Sequence, residues 1–107
     1  MKSIDHLLDR KWTQDYTCNE FACEAWQFLT GENLTDRLNA FLNGEGSFEV
    51  LENPVSPCLV FFGRLNAGQS HVGVFYDGRL LHLSSKGVQY VELDIVAMGF
   101  RTMRFYR

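Results

Sequence analysis

One cysteine and two histidines are the residues of this chain best suited to covalent chemistry. Cys18 follows Thr17, and Thr17 together with Glu20 has the pattern of a capping box, which predicts a helix that begins at Cys18. The free N–H groups and the dipole of a helix start favour a thiolate, the nucleophilic form of cysteine. Cys18 is therefore a candidate nucleophile, beside the commoner role of a free cysteine as a small buried apolar residue.

His71 and His82 lie on either side of Asp77-Gly78, a pair that predicts a two-residue hairpin turn. Such a turn places His82 opposite Gly73, two residues from His71, so both histidines can point from one face of the sheet. A thiol, an imidazole that accepts its proton and a second polar group that orients the imidazole together make a nucleophilic site. The spacing therefore predicts that the histidines can serve one site.

Other uses of these side chains stay open. Three further polar residues of the hairpin could take the orienting role, namely Gln69, Ser70 and Ser84. Zinc could accept the sulfur of Cys18 and the nitrogens of His71 and His82, but we favour the catalytic interpretation and predict neither metal nor cofactor. The chain has three cysteines, and an odd number argues against a closed disulfide framework. We interpret Cys23 and Cys58 as packing residues.

Composition limits the classes of protein that this chain can belong to. Its 107 residues, of which 46% are hydrophobic and 21% charged, predict a single domain over residues 1–107. The net charge of −3 argues against a partner made of nucleic acid. No apolar run is long enough for a membrane span or for the core of a signal peptide, so we expect synthesis in the cytoplasm.

The pattern of apolar residues predicts helices that precede strands. The predicted helices are 2–10, 18–29 and 35–43, with Gly31 as the stop of the second helix. The predicted strands are 48–51, 58–62, 70–76, 79–83, 88–93 and an edge strand at 102–106, with loops at 43–47, 53–57 and 65–69. This order indicates the α+β class, in which N-terminal helices pack on a C-terminal antiparallel sheet of about four or five strands.

Three segments in chain order resemble the NlpC-type cysteine peptidases of the bacterial cell wall. Tyr16–Ala22 is similar to the segment that carries the nucleophile, and is most like its short Tyr-x-Cys version in phage tail proteins. Cys58–Phe62 resembles the strand that the family usually writes Gly-Asp-Leu-Val-Phe-Phe. His71–His82, the most specific match, resembles the family's His-Val-Gly-Ile-Tyr hairpin with its second histidine.

The resemblance implies a compact papain-like cysteine peptidase fold and assigns roles to matched residues. Cys18 would be the nucleophile, His71 the general base and His82 the orienting residue, while Tyr16 would shape the substrate pocket beside the thiol. The backbone N–H of Cys18 would be one oxyanion donor. The implied reaction is hydrolysis of amide bonds in peptidoglycan stem peptides, typically next to D-glutamate, through a thioester.

The match departs from the family at several positions, which leaves other functions open. Thr17-Cys18-Asn19-Glu20 stands where the family usually has Asp-Cys-Ser-Gly, and Cys58 stands where aspartate is common. We expect a phage or prophage protein that a particle carries to the cell wall, with phage tail proteins as partners. The main alternative is a catalytically weak or inactive tail assembly protein on the same fold, and a third is a secreted antibacterial effector.

Overall fold

Two helices precede a six-stranded antiparallel sheet and a third, short helix lies before its last strand, which confirms the predicted α+β class. The sheet has more strands than the four or five predicted, because the short strand Val50–Leu51 also joins it. The computed structural model describes residues 2–46, 48–64 and 68–107. Its helices are α1 (Cys18–Thr30), α2 (Thr35–Leu42) and α3 (Leu93–Ala97). Its strands are β1 (Val50–Leu51), β2 (Cys58–Arg64), β3 (Gly68–Tyr76), β4 (Arg79–Ser84), β5 (Gly87–Val91) and β6 (Thr102–Tyr106).

Helix α1 begins and ends within one residue of the prediction because its capping residues act as the sequence indicates. The Thr17 hydroxyl accepts a hydrogen bond from the Asn19 backbone N–H at 3.3 Å. The Glu20 carboxylate accepts one from the Thr17 backbone N–H at 2.7 Å, which completes the capping box. Gly31 ends the helix at a φ of 81°, a left-handed conformation that glycine adopts without strain.

Strand β6 lies inside the sheet, so the prediction of an edge strand at 102–106 was wrong. The strand order is β1-β6-β2-β3-β4-β5, and β6 pairs with β2 along its whole length. The short strand β1 covers its other side, where Glu49 and Arg107 exchange two backbone hydrogen bonds of 3.0 Å. The predicted strand 48–51 is thus reduced to two residues, which take the edge instead.

Three other elements differ from the prediction. The predicted helix 2–10 is only a 3₁₀ turn at Asp5–Leu7, because Ile4 and Leu7 are the buried residues there and one turn suffices to bury them. The predicted strand 88–93 ends at Val91, and helix α3 follows it. Strand β3 begins two residues earlier than predicted, and of the predicted loops Ser47 and residues 65–67 lie outside the described residues.

The sheet buries both of its faces, because successive side chains of a strand point to opposite sides. Helices α1 and α2 cover one face and form the helix-side cluster, which includes Phe21, Ala22, Trp26, Leu59, Phe61, Val72, Val74, Leu81 and Leu83. The other face carries the α3-side cluster, which includes Cys58, Val60, Phe62, Leu80, Val96, Phe100 and Met103. The two clusters fix which face each candidate site residue can reach.

Candidate active site

The two histidines form a hydrogen-bonded pair between β3 and β4. The distance from His71 Nε2 to His82 Nδ1 is 2.8 Å, and the rings meet nearly edge to face. The hairpin has the predicted register, with Tyr76 opposite Arg79, and its ladder ends at the pair Val74 and Leu81. The imidazole pair therefore bridges the two strands just beyond the last pair of that ladder.

Gln89 continues this pair into a chain of three side chains, and sequence reasoning missed it. Its Oε1 atom lies 3.1 Å from His82 Nε2. Gln89 stands directly opposite His82 because β4 and β5 pair across the turn at residues 85–86. The hairpin register that placed His82 opposite Gly73 could have found Gln89 had it also been applied to this second turn.

The carbonyl oxygen of Gln89 sets which ring nitrogens carry protons. A carbonyl oxygen only accepts hydrogen bonds, so His82 Nε2 carries the hydrogen that faces Gln89. A neutral imidazole has one N–H, and His82 Nδ1 therefore accepts a hydrogen bond from His71 Nε2–H. The Nδ1 atom of His71 is left with its lone pair, which is the form that a general base requires.

Burial keeps both imidazoles neutral at physiological pH. Burial lowers the pKa of His71 to about 4, and the neighbouring His82 adds to the shift. Burial also lowers the pKa of His82, while the hydrogen bond to Gln89 acts in the opposite direction. At neutral pH the His71 ring can thus accept a proton, although it holds that proton weakly.

Aromatic side chains of the α3-side cluster hold the His71 ring in place. The ring of Phe100 lies parallel to it, with 5.7 Å between the centroids and 3° between the planes. Phe62, which is opposite His71 on β2, contacts it with 5.9 Å between the centroids. The imidazole is therefore oriented by packing as well as by its hydrogen bond to His82.

The Cys18 thiol lies at the start of α1 and packs against the helix-side cluster, where it is partly buried. Burial raises the pKa of this thiol, while the backbone N–H of Val72 acts in the opposite direction. The β3–β4 ladder ends at Val74, and so the amide of Val72 can face the sulfur. The thiol without substrate is therefore protonated at neutral pH, and the N–H of Val72 can donate a hydrogen bond to a thiolate when one forms.

The thiol and the imidazoles approach β3 from different sides. Within the part of the chain that the structure describes, Cys18 forms no hydrogen bond with His71 or His82, and its sulfur faces Asn19 Oδ1 at 4.0 Å. Cys18 packs against the helix-side cluster, whereas His71 contacts rings of the α3-side cluster. The structure thus joins the two histidines and brings Cys18 to the amide of the residue that follows His71.

Tyr16, the predicted pocket residue, is engaged in a polar network before α1. Its hydroxyl donates a hydrogen bond to Glu24, and the Arg10 guanidinium binds the same carboxylate at 2.8 Å. Its backbone carbonyl accepts a hydrogen bond from the Thr13 N–H at 3.0 Å. Sequence reasoning missed Arg10 and Glu24, and it is their contact with Tyr16 that ties the segment before Cys18 to α1.

The other candidates for the orienting role are placed away from it or are not described. The Ser84 hydroxyl donates to the Gly87 carbonyl at 3.0 Å and so belongs to the second turn. Ser70 is exposed, and the side chain of Gln69 lies outside the described residues. Cys58 is fully buried, which confirms its interpretation as a packing residue.

Neither a cluster of metal ligands nor a membrane-spanning helix is found among residues 2–46, 48–64 and 68–107. No three His, Cys, Asp or Glu side chains there converge in a way that could hold a metal ion. None of the described helices has the length and apolar character that crossing a membrane requires.

Comparison with known proteins supplies no relative. No family model, curated protein or solved structure matches this chain. The likeness of its three segments to the NlpC-type peptidases therefore stays a prediction, which has its basis in those residues alone. A function can be argued only from the arrangement of Cys18, His71, His82 and Gln89.

Proposed function

We propose that this protein is a cysteine peptidase or amidase that hydrolyses amide bonds of peptidoglycan stem peptides in a phage or prophage context. Cys18 is the nucleophile, His71 the general base and His82 the orienting residue. The papain-like fold that the sequence resemblance implies belongs to the same proposal. The observation that carries it is the chain Gln89–His82–His71, which leaves a lone pair on His71 Nδ1, on the same strand whose Val72 amide faces the Cys18 sulfur.

The pKa shifts of Cys18 and His71 favour an attack in which the base takes the proton during the reaction over a thiolate–imidazolium pair that exists beforehand. Burial raises the pKa of the Cys18 thiol and lowers the pKa of His71, so the resting groups are a neutral thiol and a neutral imidazole. The proton then moves as the sulfur attacks, which is the way a serine hydroxyl is activated by its histidine. For the attack, the start of α1 or of β3 must move so that the sulfur reaches His71 Nδ1, because the two groups approach β3 from different sides.

The proposed reaction has two balanced halves. His71 Nδ1 takes the thiol proton while the sulfur bonds to the carbonyl carbon, and the backbone N–H of Cys18 stabilises the oxyanion. The C–N bond then breaks, His71 returns the proton to the leaving amine, and a thioester remains. Water adds to the thioester carbon with His71 again as the base, and the C–S bond breaks to release the acid as Cys18 regains its proton.

Hydrolysis of a defined stem peptide tests the proposal. The peptide L-Ala-γ-D-Glu-L-Lys-D-Ala is incubated with the protein, and mass spectrometry follows the free products and a mass increase on Cys18. We expect Cys18→Ala to abolish hydrolysis and His71→Gln to slow it by a factor of about 10² to 10⁴. Cys23→Ala is the matched control and should retain activity, because Cys23 lies on α1 away from the histidines. Equal activity of Cys18→Ala and the parent would refute the assignment.

A structural role in a phage tail is the second candidate. The observation that favours it is the Cys18 sulfur, which has no hydrogen bond to either imidazole among the described residues and whose pKa burial raises. Under this alternative Cys18 should react with iodoacetamide no faster than Cys23 between pH 5 and 8, and the stem peptide should stay intact. Faster alkylation of Cys18 that depends on His71 would instead favour the hydrolase.

A further inference from the structure

Strand β5 forms one edge of the sheet and is unprotected there. It is the last strand in the order β1-β6-β2-β3-β4-β5, and among the described residues no strand pairs with its outer side. Edge strands usually resist further pairing because they are very short, carry charged side chains or contain proline. The opposite edge, β1, follows this rule with only two residues. Strand β5 instead has five residues, Gly-Val-Gln-Tyr-Val, with neither charge nor proline, so another strand can add to it.

The register of the β4–β5 hairpin determines which backbone groups of β5 face outward. Its turn has two residues, so Ser84 and Gly87 form the hydrogen-bonded pair next to the turn, and such pairs recur at every second residue. Gln89 and the residues two positions on either side of it therefore direct their backbone N–H and C=O groups to β4. Val88 and Tyr90 direct theirs away from the sheet, where they can bind another strand.

The sequence of this edge is complementary to itself in the antiparallel direction. When two copies pair about a twofold axis at Gln89, Val88 of one copy stands opposite Tyr90 of the other. The outward backbone groups of these two residues can then form hydrogen-bonded pairs. Gln89 meets the same residue of the second copy, a contact without charge. At each end of the pairing, Lys86 of one copy lies beside Glu92 of the other, so the charges there are opposite.

Lys86 and Glu92 are available for this contact. Both side chains are exposed, and the ion pairs formed within the described residues involve neither of them. Glu92 precedes α3, but its side chain makes no capping hydrogen bond to that helix. The twofold arrangement uses each residue once in each copy and so forms the same ion pair at both ends. This charge complementarity favours a second copy of the chain as the partner of β5.

We propose that β5 pairs with β5 of a second copy of this chain, so that the two six-stranded sheets join into one continuous sheet. Pairing covers Gln89, which is exposed in the single chain and whose Oε1 atom contacts His82. The interface does not include Cys18, so it can form whether or not the protein is a hydrolase. One pair of short strands buries little area, and we expect a weak dimer with a Kd on the order of 10⁻⁵ M.

Sedimentation velocity of the full chain, at concentrations from about 5 to 500 μM, measures the association. We expect the average mass to rise toward twice that of the single chain. Lys86→Glu places two carboxylates beside each other at each end and should weaken dimerisation about tenfold. The double variant Lys86→Glu with Glu92→Lys restores opposite charges, and its Kd should return to within about twofold of the parent's.

Lys11→Glu is the matched control, because Lys11 is an exposed lysine outside β5 and its turn, and the substitution changes the net charge by the same amount. It should dimerise as the parent does. A parent that stays monomeric at the highest concentration would overturn the proposal and leave the β5 edge to a strand of another protein. A dimer that Lys86→Glu leaves unchanged, or that the double variant does not recover, would overturn it as well.

Discussion

Substitution of Gly73 by alanine should push β4 away from β3 at the histidine pair. Gly73 is buried in β3, and a Cβ atom there would lie 3.1 Å from the Cβ of His82. The same atom would lie 2.9 Å from Cδ1 of Leu80 and 3.1 Å from its Cγ. Leu80 is fully buried and His82 is 5% exposed, so neither side chain can move into solvent to make room.

The expected loss of stability is the difference between two opposing effects. Forcing an extra carbon into a packed interior typically costs about 1 to 3 kcal/mol. Alanine in place of glycine within a strand returns about 0.5 to 1 kcal/mol, because the unfolded chain loses freedom. Gly73→Ala should therefore lower the free energy of unfolding by about 0 to 2.5 kcal/mol, with a midpoint of about 1.3 kcal/mol. For a chain of this length the midpoint corresponds to a fall in Tm of about 5 to 10 °C.

Urea unfolding followed by circular dichroism measures this change, with Gly99→Ala as the control. A Cβ at Gly99 would meet only the Val96 carbonyl oxygen, at an ordinary 3.6 Å, so its effect should stay within about 0.5 kcal/mol. The ring ¹⁵N resonances of His82 report whether the hydrogen bond to His71 survives. A Gly73→Ala protein as stable as the parent, with those resonances unchanged, would refute the packing argument.

Three further outcomes follow from contacts described above. Thr17→Ala should lower the free energy of unfolding by about 1 kcal/mol through loss of the helix cap, and an unchanged thermal melt would contradict this. Tyr16→Phe removes the hydroxyl that binds Glu24 and should lower the free energy of unfolding in urea by about 1 kcal/mol. An unchanged free energy of unfolding would mean that water replaces this contact fully. As pH falls from about 6.5 to 4, stability should decrease, because the unfolded chain binds protons that the buried His71, with its pKa of about 4, and His82, whose pKa is also lowered, do not accept in the fold. His71→Phe should flatten this part of the profile of urea midpoints, and an equally steep profile would exclude His71 as its source.

Local signals in the sequence predicted the elements that position the candidate site. The capping box fixed the start of α1 at Cys18, and Asp77-Gly78 fixed the register that brings His82 near Gly73. Both are determined by residues close together in the chain, where turn and cap chemistry decide the conformation. For the same reason the paired histidines were predictable.

Features that depend on distant partners were not predictable in this way. Strand β6 pairs with β2 and β1. These partners depend on how the whole sheet packs, and residues 102–106 alone do not determine them. Cys18 and His71 approach β3 from different sides because α1 packs on one face of the sheet and α3 on the other, which local sequence does not determine. The hydrogen bond between Tyr16 and Glu24 was missed because the two residues are eight positions apart in the chain.

The position of β6 also constrains the order in which this protein can fold. Six of the seven residues of β2 are buried, and one of its two hydrogen-bonding edges stays open until residues 102–106 have left the ribosome. During synthesis the hairpin of β3 and β4 can form early, but the sheet closes only when the last strand inserts between β1 and β2. Nascent chains stalled before residue 102 should thus expose an apolar strand edge, the kind of surface that chaperones bind and that aggregates recruit.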